Sequence, residues 1–128
     1  MYNKLTTKAF INTAENQSFA EKNLIDALNS VHNNAAFSIF PYVFDQLDSK
    51  KTIKQTLSGN CIALSIYLKN LLKESNIKSY LIQATVPNRY KQPYYLDISH
   101  VALAVIGNNK IYILDAAFYF DEPMRVPI

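Results

Sequence analysis

An α+β fold is predicted, with helices first and an antiparallel sheet of three or more strands after them. Three observations support it. Apolar residues recur at helical spacing up to about residue 75, then change to short runs rich in β-branched residues from Lys78 onward. Two of those runs flank Gly107-Asn108-Asn109, a hairpin signal. Between the two halves, Gly59-Asn60 marks the start of the most regular helical stripe in the chain. At 128 residues the whole chain, 1–128, is expected to form a single domain with its own hydrophobic core.

Residues 1–17 are mixed, with a short apolar patch at Ala9-Phe10-Ile11. Ser18 and Glu21 have capping-box spacing, and Ala20, Leu24, Ala27, Leu28 and Val31 follow on one face, predicting a helix over about 19–33. Phe37 to Phe40 is aromatic and broken by Pro41. Val43, Phe44 and Leu47 then suggest a shorter helix that fades into Asp48-Ser49-Lys50. The stripe Cys61, Leu64, Ser65, Leu68, Leu71, Leu72 predicts a helix from Cys61 to about Ser75, with Asn76 as a left-handed stop. Strands are expected over Lys78–Val86, Ile98–Ile106 and Lys110–Asp115, and an extended surface tail after Tyr119.

Composition bounds the function. No apolar run is long enough for a membrane span, and the polar start Met1-Tyr2-Asn3-Lys4 does not read as a signal peptide. A single cysteine forms no internal disulfide, so an intracellular, cytoplasmic protein is expected. The net charge of +3 is spread along the chain, and its one tight basic cluster, Lys50, Lys51 and Lys54, lacks interleaved aromatics. That argues against a nucleic-acid partner. Neither a glycine-rich phosphate loop nor a His/Cys metal spacing occurs, so no metal and no cofactor are expected. His32, near a predicted helix end, reads as structural.

Cys61, His100 and Asp115 are the candidate catalytic residues. The helix begun by Cys61 has no acid in its first turn, leaving its positive end for another anion. A thiol of ordinary pKa is mostly protonated at neutral pH, and a helix N-terminus with a neighbouring imidazolium favours the nucleophilic thiolate. If Gly107-Asn108 is the turn, Ile106 pairs with Asn109, Ala104 with Ile111, Ala102 with Ile113, and His100 with Asp115. Directly opposed residues stand with Cβ atoms about 4.5–5.5 Å apart, suiting an imidazole–carboxylate hydrogen bond. Ala102 and Ala104 on the same face would admit the leucine stripe of the Cys61 helix, bringing thiol to imidazole. Asp115 would then fix the imidazole tautomer, and the Cys61 N–H, in the unpaired first turn, could serve an oxyanion.

Residues 55–120 resemble the papain-like superfamily in its transglutaminase-like and arylamine N-acetyltransferase-like branch. The resemblance rests on Gly59-Asn60-Cys61-Ile62-Ala63-Leu64, Leu71-Leu72 with Ile77 to Ile82, Ser99-His100-Val101-Ala102-Leu103-Ala104-Val105, and Tyr112-Ile113-Leu114-Asp115-Ala116-Ala117-Phe118. It implies a papain-like fold with Cys61 as nucleophile, His100 as general base and acid, and Asp115 as the orienting residue. Gln55 has a spacing to Cys61 similar to that of the oxyanion-hole glutamine of papain-like proteases. Tyr90, Tyr94 and Tyr95 in the 87–97 loop are candidates for a substrate-facing lid. The resemblance implies thiol-dependent acyl chemistry, either hydrolysis of amide or peptide bonds or acyl transfer to an amine, on a peptide, protein or small amide. Val101-Ala102 stands where transglutaminase-like domains often have a tryptophan after the histidine, and Leu57-Ser58-Gly59 where the acetyltransferases have Arg-Gly-Gly. Those departures argue against acetyl-CoA, and they support the alternative of an inactive fold serving as a binding or structural module.

Overall fold

The computed structural model describes residues 16–44, 46–85, 88–90, 92–93, 100–118 and 120–126. Helix α1 (Lys22–Asn34) buries Leu24, Ala27, Leu28 and Val31 along one face. The predicted capping box is not used: α1 is flanked by Glu21, and no side chain caps it. The reason lies upstream. The Phe19 N–H donates to Asn108 Oδ1 at 3.1 Å, and the Phe19 carbonyl accepts from Asn108 Nδ2 at 2.9 Å. With its backbone committed to the hairpin, Phe19 cannot enter the first turn.

Strand β1 (Ala36–Phe37) follows, then α2 (Phe40–Phe44), α3 (Ser49–Thr56) and β2 (Ser58–Gly59). One fading helix was expected between 43 and 50. Instead Asp48 starts a new one, its Oδ1 accepting from the Lys51 N–H at 2.8 Å. Helix α3 buries only Thr52 and Ile53, too short an apolar stripe to stand out in the sequence. The strands β1 and β2 pair in parallel, Ala36 with Ser58 and Phe37 with Gly59, an interaction without a periodic signal.

Helix α4 (Cys61–Glu74) starts and ends as its sequence predicts. Asn60 caps its start, and its end is closed by the bonds Ile77 N–H to Leu72 C=O and Asn76 N–H to Lys73 C=O, with Asn76 at φ 58°. This is the double bond of a Schellman motif, which needs a left-handed residue where Asn76 stands.

The sheet has the order β3-β4-β5-β6 and is antiparallel throughout, from β3 (Tyr80–Ala84), β4 (His100–Gly107), β5 (Lys110–Leu114) and β6 (Met124–Val126). The tail therefore supplies a fourth strand rather than crossing the surface unpaired. The hairpin register also differs from expectation. Gly107 pairs with Lys110 and Leu103 with Leu114, so the turn is Asn108-Asn109, with φ 52° and 57°. Two successive left-handed residues make a type I′ turn, which asparagine tolerates. Gly107 is needed for another reason: a Cβ there would stand 2.2 Å from the Phe19 ring and 2.7 Å from the Gln17 carbonyl. A shift of two residues keeps every side chain on its face, so His100 and Asp115 stay on one side as diagonal rather than direct neighbours.

The core lies on the other face of the sheet from His100. Leu103, Val105, Tyr112 and Leu114 cluster with Leu24, Leu28 and Val31 of α1 and Leu64, Leu68 and Leu72 of α4. Side chains alternate across a strand, so Ala102 and Ala104 point away from that cluster. The expected packing of α4 on the two alanines is thus corrected, and its thiol must reach His100 by another route. No helix among the described residues is long and apolar enough to cross a membrane.

Candidate active site

The route is the open edge of β4. Beyond the Leu103–Leu114 pair β5 leaves the ladder, and residues 100–102 keep β3 alone as a partner. In an antiparallel pair a residue's N–H and C=O point the same way, and Val101 shares the parity of Leu103. The backbone of Val101 therefore faces the space β5 has vacated, and α4 fills it. The Ser65 hydroxyl donates to the Val101 carbonyl at 3.3 Å, and the Val101 N–H donates to the Cys61 sulfur. Ser65 lies one turn after Cys61 on the same face, so a single turn of α4 takes the place of a strand.

The helix start is held from below. Asn60 Oδ1 accepts from the Ala63 N–H at 3.1 Å and lies 3.0 Å from the Tyr42 hydroxyl and 3.2 Å from that of Ser49. The Asn60 N–H donates back to the Tyr42 oxygen at 3.2 Å. Tyr42 therefore ties α2 to both the backbone and the side chain of the residue before the thiol. Tyr42→Phe keeps the ring and removes the hydroxyl. It is expected to destabilise the chain by about 1 kcal/mol and to slow Cys61 alkylation at pH 7, read from urea melts and iodoacetamide rates.

Cys61 is half-buried. Burial pushes its thiol pKa up, but the hydrogen bond with His100, the N–H groups of Val101 and Ile62 and the imidazolium charge outweigh this and lower it. His100 is 7 % exposed, and its Nε2 lies 2.6 Å from Asp115 Oδ2, leaving Nδ1 for the sulfur. Burial alone would lower the imidazole pKa, yet its bonds to Asp115 and Cys61, with their negative charge, raise it to about 9. Both shifts act in the direction of a thiolate–imidazolium pair.

Asp115 is fixed by its second oxygen, which accepts from the Ala117 N–H at 3.1 Å and the Phe118 N–H at 3.4 Å. That turn also sets the Phe118 ring edge-on against His100, centroids 4.8 Å apart. The Cys61 N–H, first in its helix, has no partner among the described residues. Gln55 is exposed on α3. Tyr90 ends a 3₁₀ turn, Asn88–Tyr90, but its side chain and the whole of Tyr94 and Tyr95 lie outside the described residues. Among the described residues, no group of three or more His, Cys, Asp or Glu could hold a metal ion. Sequence reasoning missed Tyr42, Ser65, Val101 and Phe118. Ser65, on the helix face below the thiol, was the one with a legible signal.

These pKa shifts make stability depend on pH. The raised pKa of His100 contributes stability that is full below its ordinary value of about 6.5 and is lost as pH rises through about 9. The lowered pKa of Cys61 acts oppositely: its contribution is present above the thiol's ordinary value and is lost on acidification through the lowered one. Wherever the folded thiol is ionised beside a charged imidazole, the pair holds one proton, as it does unfolded above the ordinary imidazole pKa, and the two slopes oppose one another. Cys61→Ala removes one of them. Relative to the native chain, its unfolding free energy is expected to decline as pH rises above about 6.5, over a window that ends below 9 because Cys61 no longer helps raise the His100 pKa, read from urea melts.

No family model matches the sequence, and no curated protein matches it. Solved structures do. The NAT3 arylamine N-acetyltransferase of Bacillus cereus, an enzyme with a Cys-His-Glu catalytic triad, superposes with a TM-score of 0.67 at 17 % identity, over 97 % of this chain and 54 % of that one. Arylamine N-acetyltransferase C of Bacillus anthracis gives 0.67 at 19 % identity, over 98 % of this chain and 54 % of that one. The fold is papain-like. It is the form of that fold found in arylamine N-acetyltransferases, and this chain spans about half the length of the two structures.

Proposed function

We propose that the chain carries out thiol-dependent acyl transfer, forming a thioester on Cys61 and passing the acyl group to an amine. The observation that supports this most is the hydrogen-bonded series from Asp115 through His100 to a thiol at the start of α4. The Cys61 thiolate, favoured by the lowered pKa, attacks the acyl carbon of an ester or thioester. The resulting oxyanion is placed to accept from the Cys61 N–H. As the tetrahedral centre collapses, the bond to the leaving group breaks and the His100 imidazolium supplies its proton. The imidazole, now neutral, takes a proton from the incoming amine as the amine attacks the thioester, and the thiolate leaves. Asp115 holds the ring through both steps and offsets its charge. Water in place of the amine would give hydrolysis. Transfer is preferred because the two solved structures described above, which share this fold, are acetyltransferases.

The test is release of p-nitrophenol from p-nitrophenyl acetate, with and without an aromatic amine. The native chain is expected to turn the ester over and to accelerate with the amine. Cys61→Ala should fall to the rate of buffer alone. Equal rates for the two proteins would end the proposal.

A further inference from the structure

Ser65 is out of keeping with its place in the helix. Of the buried side chains of α4, which are Ala63, Leu64, Ser65, Leu68 and Leu72, it alone is polar, and it is 2 % exposed. Alanine would suit the interior of a helix better. A serine within a helix often turns its hydroxyl back to the carbonyl four residues earlier, which here is that of Cys61. Instead the one proton of Ser65 crosses to the Val101 carbonyl at 3.3 Å.

Two side chains one turn apart therefore hold both polar groups of Val101. The Cys61 sulfur accepts from its N–H, and the Ser65 hydroxyl donates to its C=O. The two bonds depend on different things. The first is strong while the sulfur carries negative charge. A thioester sulfur is neutral and a weak acceptor, so acylation loosens the hold of the sulfur on β4. The second bond joins two neutral groups and is indifferent to the state of the sulfur. Because β5 leaves the ladder at the Leu103–Leu114 pair, it cannot take over at Val101.

We propose that Ser65 is a positioning residue for the acyl transfer proposed above: it keeps the first turn of α4 on the open edge of β4 while Cys61 is thiol, thiolate or thioester. His100 adjoins Val101 in the chain, so fixing Val101 against α4 fixes the reach from imidazole to sulfur in both halves of the reaction.

The test compares Ser65→Ala with Ile77→Val. Ile77 is 3 % exposed and lies beyond the far end of α4, so trimming it should lower Tm by a few degrees without touching Val101. Ser65→Ala leaves the Val101 carbonyl without this donor and should lower Tm to a similar extent. In Ser65→Ala the iodoacetamide rate at pH 6 should fall about threefold to tenfold, with the whole pH profile displaced upward. Ile77→Val should keep the native profile. With p-nitrophenyl acetate, both the burst that acylates Cys61 and the turnover that follows should slow about tenfold in Ser65→Ala. A native alkylation profile in Ser65→Ala would overturn the proposal, as would native burst and turnover rates. An equal displacement in Ile77→Val would also overturn it, since that is the result of a helix merely loosened. Failure of the native chain to turn the ester over would count against acyl transfer itself, and the alkylation profiles would still decide the role of Ser65.

Discussion

Replacing His100 by alanine is expected to slow iodoacetamide alkylation of Cys61 at pH 6 by roughly tenfold to a hundredfold. The argument is one of thiolate population. A thiol of ordinary pKa near 8.5 is only about 0.3 % ionised at pH 6. In the native chain the imidazolium, the hydrogen bond it makes and the N–H groups of Val101 and Ile62 keep the thiol pKa below its usual range. Full ionisation sets the upper bound, a gain of more than about a hundredfold, and the weaker nucleophilicity of a thiolate of lower pKa divides that gain by about ten. In the variant the burial of Cys61 remains while its cation is gone, so the thiol should titrate at or above its ordinary value. The native rate should level off as pH rises through the lowered pKa, whereas the variant rate should keep rising through pH 8. Identical profiles would show that the imidazole does nothing for the thiol.

Gly59→Ala is expected to be the most destabilising single methyl addition in the site, by about 3 kcal/mol. The added Cβ would stand 2.4 Å from the Cβ of Ala63, 2.9 Å from the Tyr42 hydroxyl and 3.3 Å from the Thr52 methyl. Ala63 has no rotamer to change, and both it and Thr52 are fully buried. The backbone is also held, since the Gly59 carbonyl accepts from the Ser38 N–H at 2.9 Å. The strain must therefore fall on β2 and the first turn of α4, and the melting temperature should drop by roughly 10 °C. Because that turn carries Cys61, alkylation at pH 7 should slow as well. A Tm within a degree of native would show that the close approach is slack and that another contact sets the helix start.

How much of this could be read in the sequence follows from the range of each interaction. Local signals were legible. Asn60 and Asn76 bound α4 because capping chemistry acts within a turn, and the leucine stripe marks the face that is buried. The candidate residues Cys61, His100 and Asp115 were legible for a similar reason: a helix start and a hairpin each place side chains within reach of one another. The register was less so. Gly107-Asn108-Asn109 allows more than one two-residue turn, and the choice depends on Phe19 and Gln17 crowding Gly107 from about ninety positions away. The parity of strand positions survived that error, so His100 and Asp115 still met. Least legible was the way the thiol arrives. The alanines suggested a face for α4, but the helix packs on the other face and reaches His100 across the edge left open by β5. Nothing in the local pattern of residues 100–115 encodes where β5 departs. The parallel pair β1–β2 and the hold of Tyr42 on Asn60 are likewise contacts between distant segments.

The central claim is that Cys61 takes up an acyl group with the help of His100. Intact-mass measurement after brief exposure to phenyl acetate at pH 7, followed by peptide mapping, tests it most directly. The expected result is one acetyl group per chain, carried on the peptide that contains Cys61, and none in His100→Ala over the same interval. Acetylation spread over lysines at equal levels in the native chain and in Cys61→Ala, with Cys61 unmodified, would contradict it.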